Sequence, residues 1–178
     1  MSESLAQGVS PVSDALVVFG VTGDLAYKKI FPALHALLSR RQVDVPIVGA
    51  GRMPMPLDGL IDRARKSVAE RGSVDEAEFS KLASLLRYVD GDYADLETFK
   101  KIRQALGSAR RPLFYLAIPP SAFPVIVEHL SHAGCTAGDE RRWIDAHVPL
   151  NLAFEARDMR WDRFAAEIAE SGGIVEEW

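Results

Sequence analysis

With 178 residues, 48% hydrophobic and 26% charged, the chain can build one domain with a real core but not separate cofactor and substrate domains. A formal net charge of −4 argues against a large basic nucleic-acid footprint. One cysteine, Cys135, excludes an internal disulfide framework or a multi-cysteine zinc site. The first twelve residues are polar and lack a signal-peptide pattern, and no run approaches the roughly 18 apolar residues of a membrane span. The expected setting is therefore reducing and cytoplasmic, with neither membrane nor nucleic acid as partner.

In chain order, Ala15 to Phe19 is a continuous apolar run of strand formers ending at Gly20, which predicts a strand buried on both faces. Asp24 to Ser39 reads as a helix with Ile30, Leu34, Leu37 and Leu38 on one stripe. Pro32 inside it predicts a kink, or a first turn followed by a restart. Pro46 to Ala50 is a second buried strand. Leu57, Leu60, Ile61, Ala64 and Val68 follow helical spacing, as do Phe79, Leu82, Ala83 and Leu86, with Ser73 and Glu76 set as a capping box. Arg87 to Val89 is a short strand. Asp95 caps a helix whose stripe is Phe99, Ile102 and Leu106. Leu113 to Ile118 is a fourth strand stopped by Pro119 and Pro120, and Phe123, Ile126, Val127 and Leu130 form a last stripe ending before Gly134. Strands alternating with helices of this length imply right-handed crossovers and a mostly parallel, doubly wound, Rossmann-like α/β sheet.

After the first strand comes Gly20-Val-Thr-Gly23-Asp24-Leu25, in which Gly20 and Gly23 take the second and third glycine places of the dinucleotide fingerprint and Val18 the first. Gly20 lets the backbone approach a pyrophosphate, Gly23 allows close helix–strand packing, and the helix N-terminus offers N–H groups to an anion. Two glycines at a strand end also make an ordinary tight turn, so placement between the first strand and first helix carries the reading. An acid at the end of the second strand would take ribose hydroxyls. Here the segment is Val48-Gly-Ala-Gly51-Arg52, with no acid and an arginine suited to a 2′-phosphate. NADP is thus favoured over NAD.

Four ordered segments together resemble the glucose-6-phosphate dehydrogenases. They are Phe19-Gly-Val-Thr-Gly-Asp-Leu-Ala26 followed by Lys28-Lys29-Ile-Phe-Pro-Ala-Leu34; Val48-Gly-Ala-Gly-Arg52; Tyr88-Val-Asp-Gly-Asp-Tyr93; and Leu113-Phe-Tyr-Leu-Ala-Ile-Pro-Pro120. The likeness runs from about Asp14 to Gly134. It implies that Gly20, Thr22, Gly23, Asp24 and Leu25 line the NADP pyrophosphate, that Arg52 reads the 2′-phosphate, and that Lys29 lies near cofactor and active site. Ala117, Ile118, Pro119 and Pro120 would lie close to the nicotinamide. Tyr27 stands where relatives often carry a basic residue and is expected to be peripheral.

Past Gly134 the family pattern stops. A fifth strand ending in Glu-Lys-Pro-Phe-Gly is expected, but the stretch reads Arg141 to Asn151, with Val148 where the lysine belongs. Neither the sugar-phosphate motif nor the histidine–acid pair of the family's second domain is found, and His35, His129 and His132 read as surface or packing residues. Up to Gly138 the charge balance is +1; the last forty residues carry five Arg, ten acids, no Lys and all three tryptophans. The expected layout is a flexible 1–12, an NADP-binding domain over 13–138 whose sheet is incomplete after the fourth strand, and a divergent tail over 139–178. Within the tail, Leu152 to Ser171 is expected to be an amphipathic helix able to cover the open sheet edge.

Three functional readings follow: an NADP domain of the glucose 6-phosphate oxidising family, inactive alone for want of a general base; a non-catalytic NADP-sensing or subunit-interaction module, pairing with a full-length paralogue or itself through the open edge; and a degenerate, poorly folding product.

Overall fold

A computed structural model describes residues 13–40, 43–136 and 143–145. Five parallel strands form one sheet in the order β3-β2-β1-β4-β5, with β1 Ala15–Phe19, β2 Ile47–Gly51, β3 Leu86–Asp90, β4 Pro112–Leu116 and β5 Trp143–Asp145. Central β1 pairs with β2 from Leu16↔Ile47 to Phe19↔Ala50, and with β4 from Ala15↔Pro112 to Phe19↔Leu116. Strand order reverses at β1, so the crevice between the carboxyl ends of β1 and β4 is the topological switch point where such sheets bind ligands.

The doubly wound α/β class expected from the sequence is the one observed. The sheet does not stop at its fourth strand, however. Three residues, Trp143–Asp145, lie parallel to β4 along Phe114–Leu116. They fall inside Arg141 to Asn151, past Gly134 where the likeness is expected to end, and they occupy the stretch of edge expected to be open. Strand pairing needs backbone geometry more than any side-chain motif, so the pairing survives the loss of the Lys-Pro-Phe-Gly pattern. The expected helix over Leu152 to Ser171 lies outside the described residues.

Burial on both faces follows from alternation along β1. Leu16 and Val18 face a cluster with Phe31, Leu34, Leu37, Leu60, Ala64, Phe79 and Leu82, supplied by α1 Phe31–Ser39, α2 Leu57–Ala69 and α3 Glu76–Leu85. Ala15, Val17 and Phe19 face Phe99, Ile102, Ile126 and Leu130 of α4 Leu96–Leu106 and α5 Phe123–His132.

Helix ends are set by local chemistry, with one correction. Asp95 caps α4 as expected, its carboxylate accepting from the Glu97 amide at 3.0 Å. The cap of α3 is Asp75 rather than a Ser73–Glu76 box: its Oδ1 accepts from the Ala77 and Glu78 amides at 2.9 and 3.0 Å. A carboxylate at that position satisfies two first-turn donors by itself, so the helix starts two residues later than a Ser73 cap would place it. Glu76 instead turns back to Arg65 at 2.6 Å. Leu86, assigned by spacing to the helix, opens β3.

Cys135 is buried at the end of α5, and burial pushes its thiol up to about 11. At pH 8 its thiolate fraction is then about a hundredfold below that of an ordinary thiol. Iodoacetamide at pH 8 is accordingly expected to modify the folded chain at least that much more slowly than the urea-unfolded chain, as read by mass spectrometry; equal rates would show that the thiol is not buried.

Candidate dinucleotide-binding site

The carboxyl end of β1 runs straight into the glycine loop. Gly20 takes a left-handed φ of 77°, and a Cβ there would sit 2.2 Å from the Ala117 carbonyl oxygen and 3.1 Å from Ile118 Cγ2. Only glycine lets the loop cross so close to the strand next door. Ala117 returns the contact, its amide donating to the Phe19 carbonyl at 3.1 Å. The fold thus brings Ala117 and Ile118 against Gly20, while Pro119 lies exposed just beyond them and Pro120 opens a 3₁₀ turn, Pro120–Ala122.

Gly23 closes the loop, donating to the Gly20 carbonyl at 2.9 Å and accepting from the Tyr27 amide at 3.1 Å. Asp24 and Leu25 stand exposed on its outer side and Thr22 is half-buried; among the described residues Leu25 and Met53 are the two exposed large apolar side chains. First-turn amides of a helix have no partner within it, and here they lie at the mouth of the switch-point crevice. Asp24 accepts from Lys28 at 3.0 Å one turn on, which offsets its charge at the place where an anion would approach.

Arg52 follows β2 directly and is exposed, with no ion pair or hydrogen bond among the described residues. Its charge reaches Tyr93, whose phenol burial pushes upward while the Gly20 amide and Arg52 pull it down. Lys29 is exposed on the turn that follows the loop and is likewise unpaired among the described residues. The sequence candidates therefore converge on one end of the sheet, and two cations there have no partner among the described residues.

The structure adds residues that lie in the quoted motifs but were given no role at the site. The Tyr93 hydroxyl accepts from the Gly20 amide and donates to the Ala50 carbonyl, both at 3.0 Å, so one buried phenol ties the loop to the end of β2. Its ring packs edge-on against Phe19, 5.5 Å between centroids. The glycines of β2 also serve the loop: a Cβ on Gly49 would meet Val21 at 2.9 Å, and one on Gly51 would meet Thr22 at 2.9 Å and the Tyr88 hydroxyl at 2.8 Å. Tyr88, pushed up to about 12 chiefly by burial, donates to the Met53 carbonyl at 2.5 Å and so shapes the turn that carries Arg52. The signals for these were the Tyr88-Val-Asp-Gly-Asp-Tyr93 and Val48-Gly-Ala-Gly-Arg52 segments themselves, legible as motifs but not as contacts.

A parallel doubly wound sheet, with a glycine loop at its switch point and an arginine at the end of the neighbouring strand, defines a dinucleotide-binding α/β domain. Residues 17–145 match the family described as glucose-6-phosphate dehydrogenase, NAD binding domain. The chain belongs to the glucose-6-phosphate dehydrogenase family and carries that domain. It is 40% identical over 128 residues to glucose-6-phosphate 1-dehydrogenase 1 of Mycobacterium tuberculosis, a match covering 72% of this chain and 28% of the relative. It is 33% identical over 153 residues to the cytoplasmic glucose-6-phosphate 1-dehydrogenase 6 of Arabidopsis thaliana, covering 76% and 30%. Among solved structures, glucose-6-phosphate 1-dehydrogenase from Mycobacterium avium superposes with a TM-score of 0.68 at 39% identity, over 76% of this chain and 29% of that one. A glucose-6-phosphate dehydrogenase in complex with glucose-6-phosphate gives 0.61 at 26% identity, over 76% and 30%. The chain thus spans less than a third of the length of these relatives.

Proposed function

We propose that this chain binds NADP, in preference to NAD, as the cofactor module of glucose 6-phosphate oxidation. The observation that carries the reading is Arg52, unpaired and exposed at the end of β2, one strand away from the glycine loop at the switch point. Gly20, Thr22, Gly23, Asp24 and Leu25 would hold the pyrophosphate, Arg52 the 2′-phosphate, and Lys29 would lie beside the cofactor. Ala117, Ile118, Pro119 and Pro120 would border the nicotinamide. Bound NADP would supply a hydride acceptor; the chain's own part is to bind and orient it. The binding domain would extend over 13–138, and a cytoplasmic setting fits the Arabidopsis relative's name. No helix among the described residues is long and apolar enough to cross a membrane.

Turnover by the chain alone is not part of the proposal. Among the described residues, His35, His129 and His132 make no ion pair with a carboxylate; His129 packs on Phe99 and points Nδ1 at the Tyr93 carbonyl. No base is therefore assigned to the sugar hydroxyl.

Calorimetric titration of NADP and NAD tests the reading, with Arg52→Ala alongside. A guanidinium–phosphate pair contributes about 1.5–3 kcal/mol, so NADP should bind roughly ten- to hundredfold tighter than NAD, and Arg52→Ala should remove that margin. Equal affinities in the wild-type chain would refute the NADP assignment. Reduction of NADP by glucose 6-phosphate that is lost on Lys29→Ala would refute inactivity.

A further inference from the structure

The first helix does not run continuously from Asp24. A π-helical turn, Ala26–Ile30, precedes α1, and the Phe31 amide donates to the Ala26 carbonyl, five residues back. Pro32 lies in the next position and has no amide hydrogen. At π spacing it would have served the Tyr27 carbonyl, and at α spacing that of Lys28. Both carbonyls are satisfied from α2 and the turn that follows it instead. Ser67, 2% exposed, donates its hydroxyl to the Tyr27 carbonyl, and Arg71, just past the helix end, donates to the Lys28 carbonyl at 2.6 Å.

Two more contacts lie on the same seam. Arg63 sits 4.8 Å over the Tyr27 ring and reaches the Gly23 carbonyl at 3.4 Å, and the Tyr27 hydroxyl donates to Glu70 at 2.5 Å. Tyr27, expected to be peripheral, is therefore the side chain through which α2 grips the loop. The geometry has consequences for the site. Relaxing the π turn to an α turn would rotate Gly23 to Leu25 by about 100° relative to α1, because each residue of an α-helix turns by that much. Alternatively it would pull Phe31, Leu34, Leu37 and Leu38 off the sheet, where all four are buried.

We propose that Arg63, Ser67 and Arg71 are positioning residues: they hold the widened turn, and through it set the loop amides and Lys29 for the dinucleotide without touching it. The proposal rests on the dinucleotide reading above. Its test is NADP affinity by calorimetry, with amide exchange across residues 20–31, in Ser67→Ala, Arg71→Ala, the double variant and Arg71→Lys.

In the double variant NADP should bind about tenfold more weakly, with exchange faster at Phe31 and the loop while the strands stay protected. Arg71→Lys, still able to donate to the carbonyl, should recover most of the loss seen in the exposed single variant Arg71→Ala. Double-variant affinity within twofold of wild type would overturn the clamp alone. So would exchange raised evenly over the sheet, or a loss in Arg71→Ala that lysine fails to restore. A wild-type chain that binds no NADP would instead overturn the dinucleotide reading and the clamp with it.

Discussion

Gly20→Ala is expected to lower the melting temperature by roughly 10 °C and to abolish measurable NADP binding. Two costs combine. A left-handed backbone costs a residue with a Cβ about 1–2 kcal/mol, and Gly20 has φ 77°. The added methyl would also lie 2.2 Å from the Ala117 oxygen, a backbone atom fixed by sheet pairing, and overpacking of this kind costs about 1–3 kcal/mol. The strand ends can part only by stretching the bond between the Ala117 amide and Phe19 carbonyl, together with those from the Gly20 amide to Ala50 and Tyr93. Gly134→Ala separates the two costs, since Gly134, just past the end of α5, also has positive φ, 70°, but nothing within 4 Å of its Cβ position. It should melt only a few degrees below wild type. Circular dichroism melts of both variants and calorimetry with NADP provide the check; a Gly20→Ala chain as stable as Gly134→Ala would show that the close approach is not a constraint.

Phe99→Ala is expected to cost about 3–5 kcal/mol, the range for emptying a buried aromatic site. Phe99 is fully buried, stacks on Phe19 at 6.0 Å with planes 29° apart, and meets the His129 ring at 5.1 Å. Against a total stability of about 5–15 kcal/mol, such a loss leaves little margin. It also reaches the site. Phe19 wedges between Phe99 and Tyr93, and the Tyr93 hydroxyl ties Gly20 to Ala50, so freeing Phe19 loosens the anchor of the glycine loop. Urea unfolding should show the midpoint shift, with Phe99→Leu intermediate because it refills part of the volume. A loss under about 1.5 kcal/mol for alanine would mean that the surrounding helices collapse into the space.

The strands and helices were legible because burial imposes its period on sequence: continuous apolar runs at Ala15 to Phe19 and Leu113 to Leu116, and 3.6-residue stripes at Phe99, Ile102 and Leu106. Gly20, Gly23 and Arg52 were legible as site candidates because a glycine loop after a strand and a cation after the next have a chemical reason to be there. Other features followed a local rule to the wrong residue. Ser73 satisfied the capping pattern, yet Asp75 held the stronger acceptor. Pro32 announced an irregular turn, but nothing around it says that Ser67 and Arg71, 35 and 39 positions further on, supply the donors it lacks. Trp143–Asp145 carried no family motif, and strand pairing needed none.

The doubly wound class, the position of the glycine loop and the family likeness could all be read from the chain, because each rests on residues close together in it. What holds the loop in place emerges only from the folded arrangement. Tyr93 bridges two strand ends, Gly49 and Gly51 clear space for Val21 and Thr22, and Ser67 and Arg71 complete the backbone of the π turn. Those partners are separated by tens of residues, and a hydrogen bond between them has no period or spacing in the chain. It exists only once hydrophobic burial has brought the strands and helices together.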